Sequence, residues 1–275
     1  MRIVKIEKTR KSFLTQVAFG ITGVQTNPDF LKMMRYCRAN GVIPNFTLSG
    51  ADLTDEMAVE CSKLIGAVAV SAYERDKNVC YDTVKKFVDL GIKQTNIHLL
   101  VSKQSLPFVY EVLSDRQSDS RLQGMYAIVF LGLKPKNRGS TFGFASVEEF
   151  DRLIRYCLKE NIVFGFDSCS APKYEFAVRR MGFSEEQERA LIQQSESCES
   201  SLMSSYINVF GEYHNCSFSE GEAIWGEGIS VLDSDDFVAD VWNSEKVKSW
   251  REMVLTNHVV SGCRECPVFP QINIK

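Results

Sequence analysis

Between about residues 16 and 170, short apolar runs alternate with amphipathic stretches, and this alternation constrains the fold more than any other feature of the chain. The apolar runs have the length of strands, and the stretches between them space their apolar residues as helices do. We predict six strands: Gln16–Gly20, Val42–Leu48, Ala67–Ser71, Ile97–Val101, Tyr126–Leu131 and Ile162–Phe166. Strands that alternate with helices form βαβ units, so the predicted fold class is α/β with a parallel sheet.

Polar residues follow the predicted strands where each strand ends. Ser49, Ser71 with Tyr73, and Ser102 follow the second, third and fourth strands, and Asp167 follows the sixth. Ligands of parallel α/β folds bind at the carboxyl ends of the strands. Ser49, Ser71, Tyr73 and Ser102 are therefore candidate cofactor-binding residues. Each could also be no more than a strand exit, and Asp167 could either contact a ligand or cap its own loop.

The pattern changes after residue 172, which divides the chain into three predicted segments. Residues 1–172 carry the α/β pattern, residues 173–197 form a helical connection, and residues 198–275 form a small α+β domain. This domain is expected to contain a hairpin, Ser204–Phe210 with Glu212–Ser217, and a helix, Ser244–Thr256. Within the first segment, the polar run Ser114–Gln123 is expected to be a loop.

Charge and hydropathy limit the partners of the chain. The net charge is −3, so there is no basic footprint for nucleic acid. No apolar run approaches the roughly 20 residues that span a bilayer, and a cytoplasmic location is expected. Disulfides are not expected in that compartment. Of the nine cysteines, Cys37, Cys61 and Cys157 fall on predicted helices and are expected to be core residues.

Four later cysteines have an informative spacing. Cys198 and Cys216 bracket the predicted hairpin, and Cys263 and Cys266 form a Cys-x2-Cys pair. Two cysteines on a hairpin and two in a tight turn can converge on one site, and a set of thiolates suits zinc or an iron–sulfur cluster. Cys169 is a fifth candidate ligand, because it directly follows the last predicted strand of the sheet.

The cysteine pattern resembles that of a known family. Cys198, Gly211 and Cys216 form Cys-x12-Gly-x4-Cys, and the segment Ser205–Phe218 looks like the same family's hairpin. The chain thereby resembles the radical S-adenosylmethionine (radical SAM) superfamily, in particular members with a C-terminal SPASM or twitch domain. The resemblance implies a partial (β/α) barrel of the TIM-barrel type and a one-cluster twitch domain. In that domain Cys198, Cys216, Cys263 and Cys266 would hold an auxiliary [4Fe–4S] cluster.

The strand ends resemble the family less closely. Thr47–Gly50 looks like the family's Thr-Asn-Gly segment, and Ser71 like the residue that meets the ribose of S-adenosylmethionine. The resemblance therefore implies S-adenosylmethionine as a second candidate cofactor. The segment Gly20–Pro28 stands where the family has Gly-Gly-Glu-Pro, and it lacks the glutamate.

The family's defining Cys-x3-Cys-x2-Cys motif, which holds the catalytic cluster, is absent from this sequence, whose first cysteine is Cys37. Two explanations stay open: the chain is a shortened form of a radical SAM enzyme, or it is a variant that has lost radical chemistry. Whether it is an enzyme is thus undecided. As an enzyme, it is expected to modify a peptide, a protein or a small molecule. The alternative is a non-catalytic iron–sulfur or zinc-binding α/β protein.

Overall fold

The computed structural model describes residues 14–21, 23–257, 259–260 and 263–273, without the side chains of residues 257–264. The described residues divide into two compact units. The first, which we name the sheet unit, contains the described residues up to Leu131 together with Arg155–Gly165. The second, the cysteine unit, contains Gly132–Ile154 and the described residues from Phe166 onward.

A six-stranded parallel sheet, with its strands in sequence order, forms the centre of the sheet unit. Each of the first three strands pairs in parallel with the next, and only the final residues of β5 and β6 belong to the cysteine unit. The strands are β1 (Gln16–Gly20), β2 (Ile43–Leu48), β3 (Ala67–Ser71), β4 (Gln94–Val101), β5 (Ile128–Gly132) and β6 (Phe164–Phe166). The predicted α/β class and parallel sheet are confirmed.

Helices connect successive strands. They are α1 (Phe30–Ala39), α2 (Asp55–Ser62), α3 (Lys77–Asp89), α4 (Leu106–Ser118) and α5 (Val147–Lys159). The loop predicted from Ser114 is wrong over its first five residues, because α4 continues to Ser118. The polar residues of this stretch occupy the outer face of the helix; for example, the Gln117 side chain donates to the carbonyl of Glu160 at 3.0 Å.

Apolar side chains fill the space between the sheet and its helices. Phe46 of β2 is 2% exposed and makes edge-to-face contacts with Phe30 and Phe87, at centroid distances of 5.5 and 6.0 Å. Such contacts add to the free energy that burial of the rings already provides. Cys61 and Cys157 are buried as predicted, whereas Cys37 is only partly buried.

The cysteine unit is built from shorter elements. Its helices are α6 (Ala171–Arg180), α7 (Glu185–Ile192) and α8 (Glu245–Asn257), and its short strands are β7 (Tyr206–Ile207), β8 (Glu212–His214), β9 (Ile229–Ser230), β10 (Val259–Val260) and β11 (Cys263–Arg264). The predicted hairpin is present as β7 and β8, followed by a third strand that the sequence did not indicate. Gly211 turns the chain with φ +78°, a conformation that favours glycine.

A cluster of buried residues supports this small sheet. Its members are Tyr213, Trp225, Val241, Val247, Trp250 and Val254. The predicted segment boundaries at residues 172 and 197 remain a prediction, because a division into compact units does not test where a twitch-like domain begins. No helix in the described part of the chain is long and apolar enough to cross a membrane.

Candidate metal centre

A cavity of about 220 Å³ inside the cysteine unit brings four thiols together. Cys198, Cys216 and Cys266, three of the four predicted ligands, line it, and so does Cys169. The fourth predicted ligand, Cys263, lies in β11, but its side chain is outside the described residues. Other lining side chains include Lys134, Asp167, Phe218 and Trp250.

Hydrogen-bonded turns hold two of the cysteines. The hydroxyl of Ser219 donates to the Cys216 carbonyl at 2.8 Å, and the Ser219 N–H donates to the same carbonyl at 3.2 Å. The Phe269 N–H donates to the Cys266 sulfur at 3.3 Å, and the Asn273 side chain brackets the Cys266 backbone at both its N–H and its carbonyl. An N–H directed at a sulfur stabilises its thiolate, as it does at thiolate-bound metal sites.

A buried ion pair forms one wall of the cavity. The Lys134 ammonium lies 2.5 Å from the Asp167 carboxylate, and their side chains are 9% and 19% exposed. Lys134 and Cys169 both line the cavity. Burial lowers the pKa of Lys134, but Asp167 and Cys169 more than offset this, so the pKa lies above its usual value.

Electrostatics disfavour thiolates in a metal-free cavity. Burial raises the pKa of the Cys266 thiol to about 11, although the N–H groups of Phe269 and Val268 act in the opposite direction. Burial also raises the pKa of Cys169, again against the effect of the Lys134 ammonium. A bound metal cation supplies the positive charge that lets such thiols ionise.

The residues present fit a thiolate-bound metal group. Soft sulfur donors select zinc, copper(I) or an iron–sulfur cluster over magnesium or calcium. Trp250, on the cavity wall, has a buried indole N–H without an acceptor among the described residues. Buried N–H groups normally have partners, so this one is consistent with a further acceptor, such as a cluster sulfide, in the cavity.

The candidate cofactor-binding residues lie at the carboxyl edge of the sheet unit. Ser71 ends β3, Ser49 directly follows β2, and Tyr73 is about half exposed. Ser102, directly after β4, is fully buried, and its hydroxyl is within 2.9 Å of the Ser105 hydroxyl. That bond gives Ser102 a structural role in starting α4. The role of these four residues in cofactor binding remains a prediction.

Asp167 caps its own loop, which is one of the two roles that the sequence left open. Its Oδ1 accepts bonds from Ser170 N, at 3.0 Å, and from Ser170 Oγ, at 2.6 Å, which caps the loop. Its Oδ2 pairs with Lys134. Lys134 stands at a strand exit like the other polar residues, and nothing in the sequence indicates that it lines a cavity with four thiols.

A second polar group, which sequence reasoning missed, lies on β8 and in the loop that follows it. Ligand atoms of Glu212, His214 and Glu220 are all within 4.8 Å of one another. The Asn208 amide donates to both carboxylates, at 2.8 and 2.9 Å. These bonds are sufficient to explain why the three side chains gather.

Comparison with known proteins identifies the fold. No protein-family model and no curated protein matches the sequence. Streptococcus suis SuiB matches with a TM-score of 0.62 and 12% identity, over 84% of this chain and 55% of SuiB. SuiB bound to its precursor peptide SuiA matches with a TM-score of 0.63 and 13% identity, over 85% of this chain and 55% of SuiB.

A third solved structure is native anSMEcpe with bound AdoMet and Cp18Cys peptide. It matches with a TM-score of 0.54 and 13% identity, over 92% of this chain and 74% of anSMEcpe. At these identities the likeness is one of fold. The chain spans about half the length of SuiB.

Proposed function

We propose that this chain is a radical SAM-like iron–sulfur protein whose cysteine unit binds an auxiliary [4Fe–4S] cluster. The observation that carries the proposal is the single cavity lined by Cys198, Cys216 and Cys266, with Cys169 as a fourth thiol. Three of these cysteines were selected from spacing alone. Cysteines that only fill the core are not expected to bring four thiols to one cavity.

The fold supports the radical SAM part of the proposal. SuiB and anSMEcpe are radical SAM peptide-modifying enzymes. The anSMEcpe structure contains AdoMet and a peptide, and SuiB has been crystallised with its precursor peptide. We infer a peptide or protein substrate for this chain, and S-adenosylmethionine as a cofactor near Ser49, Ser71, Tyr73 and Ser102.

In the cysteine unit, the residues of this chain would have distinct tasks. The thiolates of Cys198, Cys216 and Cys266 would hold the cluster, and the Phe269 N–H would stabilise the Cys266 sulfur. A bound cluster supplies a site that accepts and donates single electrons or ligates a substrate. Lys134, Asp167 and Trp250 would form the polar and aromatic wall that limits the access of water.

Anaerobic expression and metal analysis test this proposal. The full chain is expected to be brown, with iron and acid-labile sulfide in equal amounts of about four per chain. Cys216→Ala is expected to reduce both to background. Cys80→Ala, which changes a buried cysteine of α3 in the sheet unit, is the matched control and should retain them.

The outcomes separate the alternatives. A colourless protein that contains zinc would contradict the cluster and favour a zinc-stabilised scaffold. A protein that contains the cluster but does not bind S-adenosylmethionine, by calorimetry, would favour a non-catalytic iron–sulfur protein. Equal iron in Cys216→Ala and the unmodified chain would exclude Cys216 as a ligand.

A further inference from the structure

Cys169 lies in the loop between β6 and α6, and hydrogen bonds fix this loop closely. Asp167 Oδ1 accepts three of them: from Gly132 N at 2.8 Å, from Ser170 N at 3.0 Å and from Ser170 Oγ at 2.6 Å. Ser170 is almost fully buried. The backbone on both sides of Cys169 is therefore held by a single carboxylate, which leaves the thiol little freedom to move away from the cavity.

Gly132 contributes to the same arrangement. A Cβ atom at this position would lie 3.0 Å from Ser170 N and 3.1 Å from the Cys169 carbonyl carbon. The end of β5 thus approaches the Cys169 backbone more closely than a residue with a side chain readily allows. Glycine at position 132 therefore lets the end of β5 pack tightly against the loop that carries Cys169.

The Lys134 ammonium accounts for the charge of this wall. The ammonium donates to the Asp167 carboxylate, and Lys134, Asp167 and Cys169 all line the same cavity. A positive charge on the wall of the cavity would stabilise thiolates bound to a metal.

We propose that Cys169 is a ligand of the metal group, together with Cys198, Cys216 and Cys266, and that Lys134 neutralises part of the charge of the bound group. This inference rests on the proposed function. It assigns the fourth ligand position to Cys169, where the sequence pattern indicated Cys263. It also explains why a buried ammonium lies on the wall of a cavity that four thiols line.

Paired substitutions in the full chain test the ligand assignment. Cys169→Ala is expected to reduce iron and sulfide to the level of Cys216→Ala, whereas Cys263→Ala should retain them. Retention in Cys169→Ala with loss in Cys263→Ala would overturn the inference. This result would leave the proposed function intact. The proposed function fails only if neither the unmodified chain nor Cys80→Ala holds a cluster.

A ligand replacement separates coordination from folding. Cys169→Ser offers an oxygen donor and is expected to keep a cluster with an altered electron paramagnetic resonance spectrum. A spectrum identical to that of the unmodified protein would mean that Cys169 is not a ligand. Circular dichroism of Cys169→Ala and Cys169→Ser checks that each chain folds.

A redox titration tests the role of Lys134. Lys134→Met removes a positive charge beside an anionic group, so the cluster is expected to be harder to reduce, with a lower midpoint potential. The matched control is Lys173→Met. Lys173 is a partly buried lysine of the same unit that is not among the residues lining the cavity; it donates to the Ala145 carbonyl. An unchanged potential in Lys134→Met, with iron retained, would refute the charge role.

Discussion

The two compact units are stabilised in different ways. In the sheet unit, strands of up to eight residues bury apolar side chains such as Val68, Val70 and Ile97. In the cysteine unit, the three strands of the hairpin sheet have two or three residues each, and one six-residue cluster supports them. Short strands with a small core are marginally stable. The difference indicates that the hairpin sheet, unlike the longer strands of the sheet unit, needs support from the residues around it.

Side-chain hydrogen bonds supply some of this stability. The Ser201 and Tyr213 hydroxyls are 2.6 Å apart, and the Ser200 hydroxyl donates to the Asn215 carbonyl at 2.9 Å. Arg251 of α8 donates to the Ser201 carbonyl at 2.6 Å. Each bond contributes only about 1 kcal/mol net. A metal bound by four thiolates contributes far more, because its binding energy becomes folding energy.

Removal of the proposed metal should therefore destabilise the cysteine unit and leave the sheet unit unchanged. Chelation under anaerobic conditions is expected to increase amide exchange in residues 206–230 and in α8 by at least about tenfold, equivalent to about 1.4 kcal/mol. Exchange in β2, β3 and β4 should be unchanged. Mass spectrometry of peptic fragments gives both values in one experiment.

Tryptophan fluorescence offers an independent readout of the same change. All three tryptophans of the chain, Trp225, Trp242 and Trp250, are in the cysteine unit. Trp225 and Trp250 are 4% and 5% exposed, so their hydration on metal loss should move the emission to longer wavelength. If metal loss increased amide exchange in β2–β4 as much as in the cysteine unit, the two units would not differ in their dependence on the metal.

A core substitution tests the opposite side of the comparison. Phe46→Ala should lower the free energy of unfolding of the sheet unit by about 3–5 kcal/mol, because it leaves a cavity between Phe30 and Phe87. The exposed Val59→Ala, on α2, should cost no more than about 0.5 kcal/mol. Urea unfolding followed by circular dichroism measures both. A loss of less than about 1 kcal/mol in the free energy of unfolding for Phe46→Ala would show that the aromatic contacts contribute little to the stability of the sheet unit.

Charge pairs provide a third contrast. Asp167→Asn keeps an acceptor oxygen for the loop but leaves the buried Lys134 ammonium without its counter-charge, at a cost of about 3 kcal/mol. Asp89→Asn breaks an exposed pair with Lys85 in the sheet unit and should cost no more than about 0.5 kcal/mol. Urea unfolding again measures both.

A double substitution checks the cause of the larger cost. Adding Lys134→Met to Asp167→Asn removes the unpaired charge, so the double variant should be more stable than the sum of the two single changes predicts. If the losses in free energy of unfolding from the two single changes simply add, Asp167 stabilises the protein only through its hydrogen bonds to Ser170 and Gly132.

The difference in strand length between the two units also decides which strands the sequence could predict. Ala67–Ser71 was predicted to the residue, because a continuous apolar run between Gly66 and a polar stretch has one interpretation. The strand Ile229–Ser230 has two residues and no periodicity, so no local pattern could indicate it. The contact of Lys134 with Asp167 joins residues 33 positions apart. It becomes visible only when the ends of β5 and β6 are known to be neighbours.

The candidate site shows the same limit. Cysteine spacing indicated Cys198, Cys216 and Cys266, because a Cys-x2-Cys pair and a hairpin have known geometries. It also indicated Cys263 and left Cys169 as a fifth candidate, because Cys169 reaches the cavity through a loop whose position depends on Asp167 and Gly132. That position is a property of tertiary structure, and no local pattern records it.

Helix caps give the smallest predicted effect and a matched pair between the units. At the start of α7, Ser184 accepts from Gln187 N at 3.3 Å, and the Gln187 side chain accepts from Ser184 N at 3.1 Å. At the start of α2, Thr54 accepts from Met57 N at 3.2 Å. Ser184→Ala and Thr54→Ala should each cost about 1 kcal/mol.

Because α7 has a reciprocal capping box, Gln187→Ala should lower the stability of α7 as well. The cap of α2 has no such second side chain. Local amide exchange in α7 and α2 measures each effect where it arises. A cost for Ser184→Ala well below that for Thr54→Ala would mean that α7 is held by its packing against α6 rather than by its cap. In that case caps do not compensate for the short strands of the hairpin sheet, and the proposed metal group would have to provide a larger share of the stability.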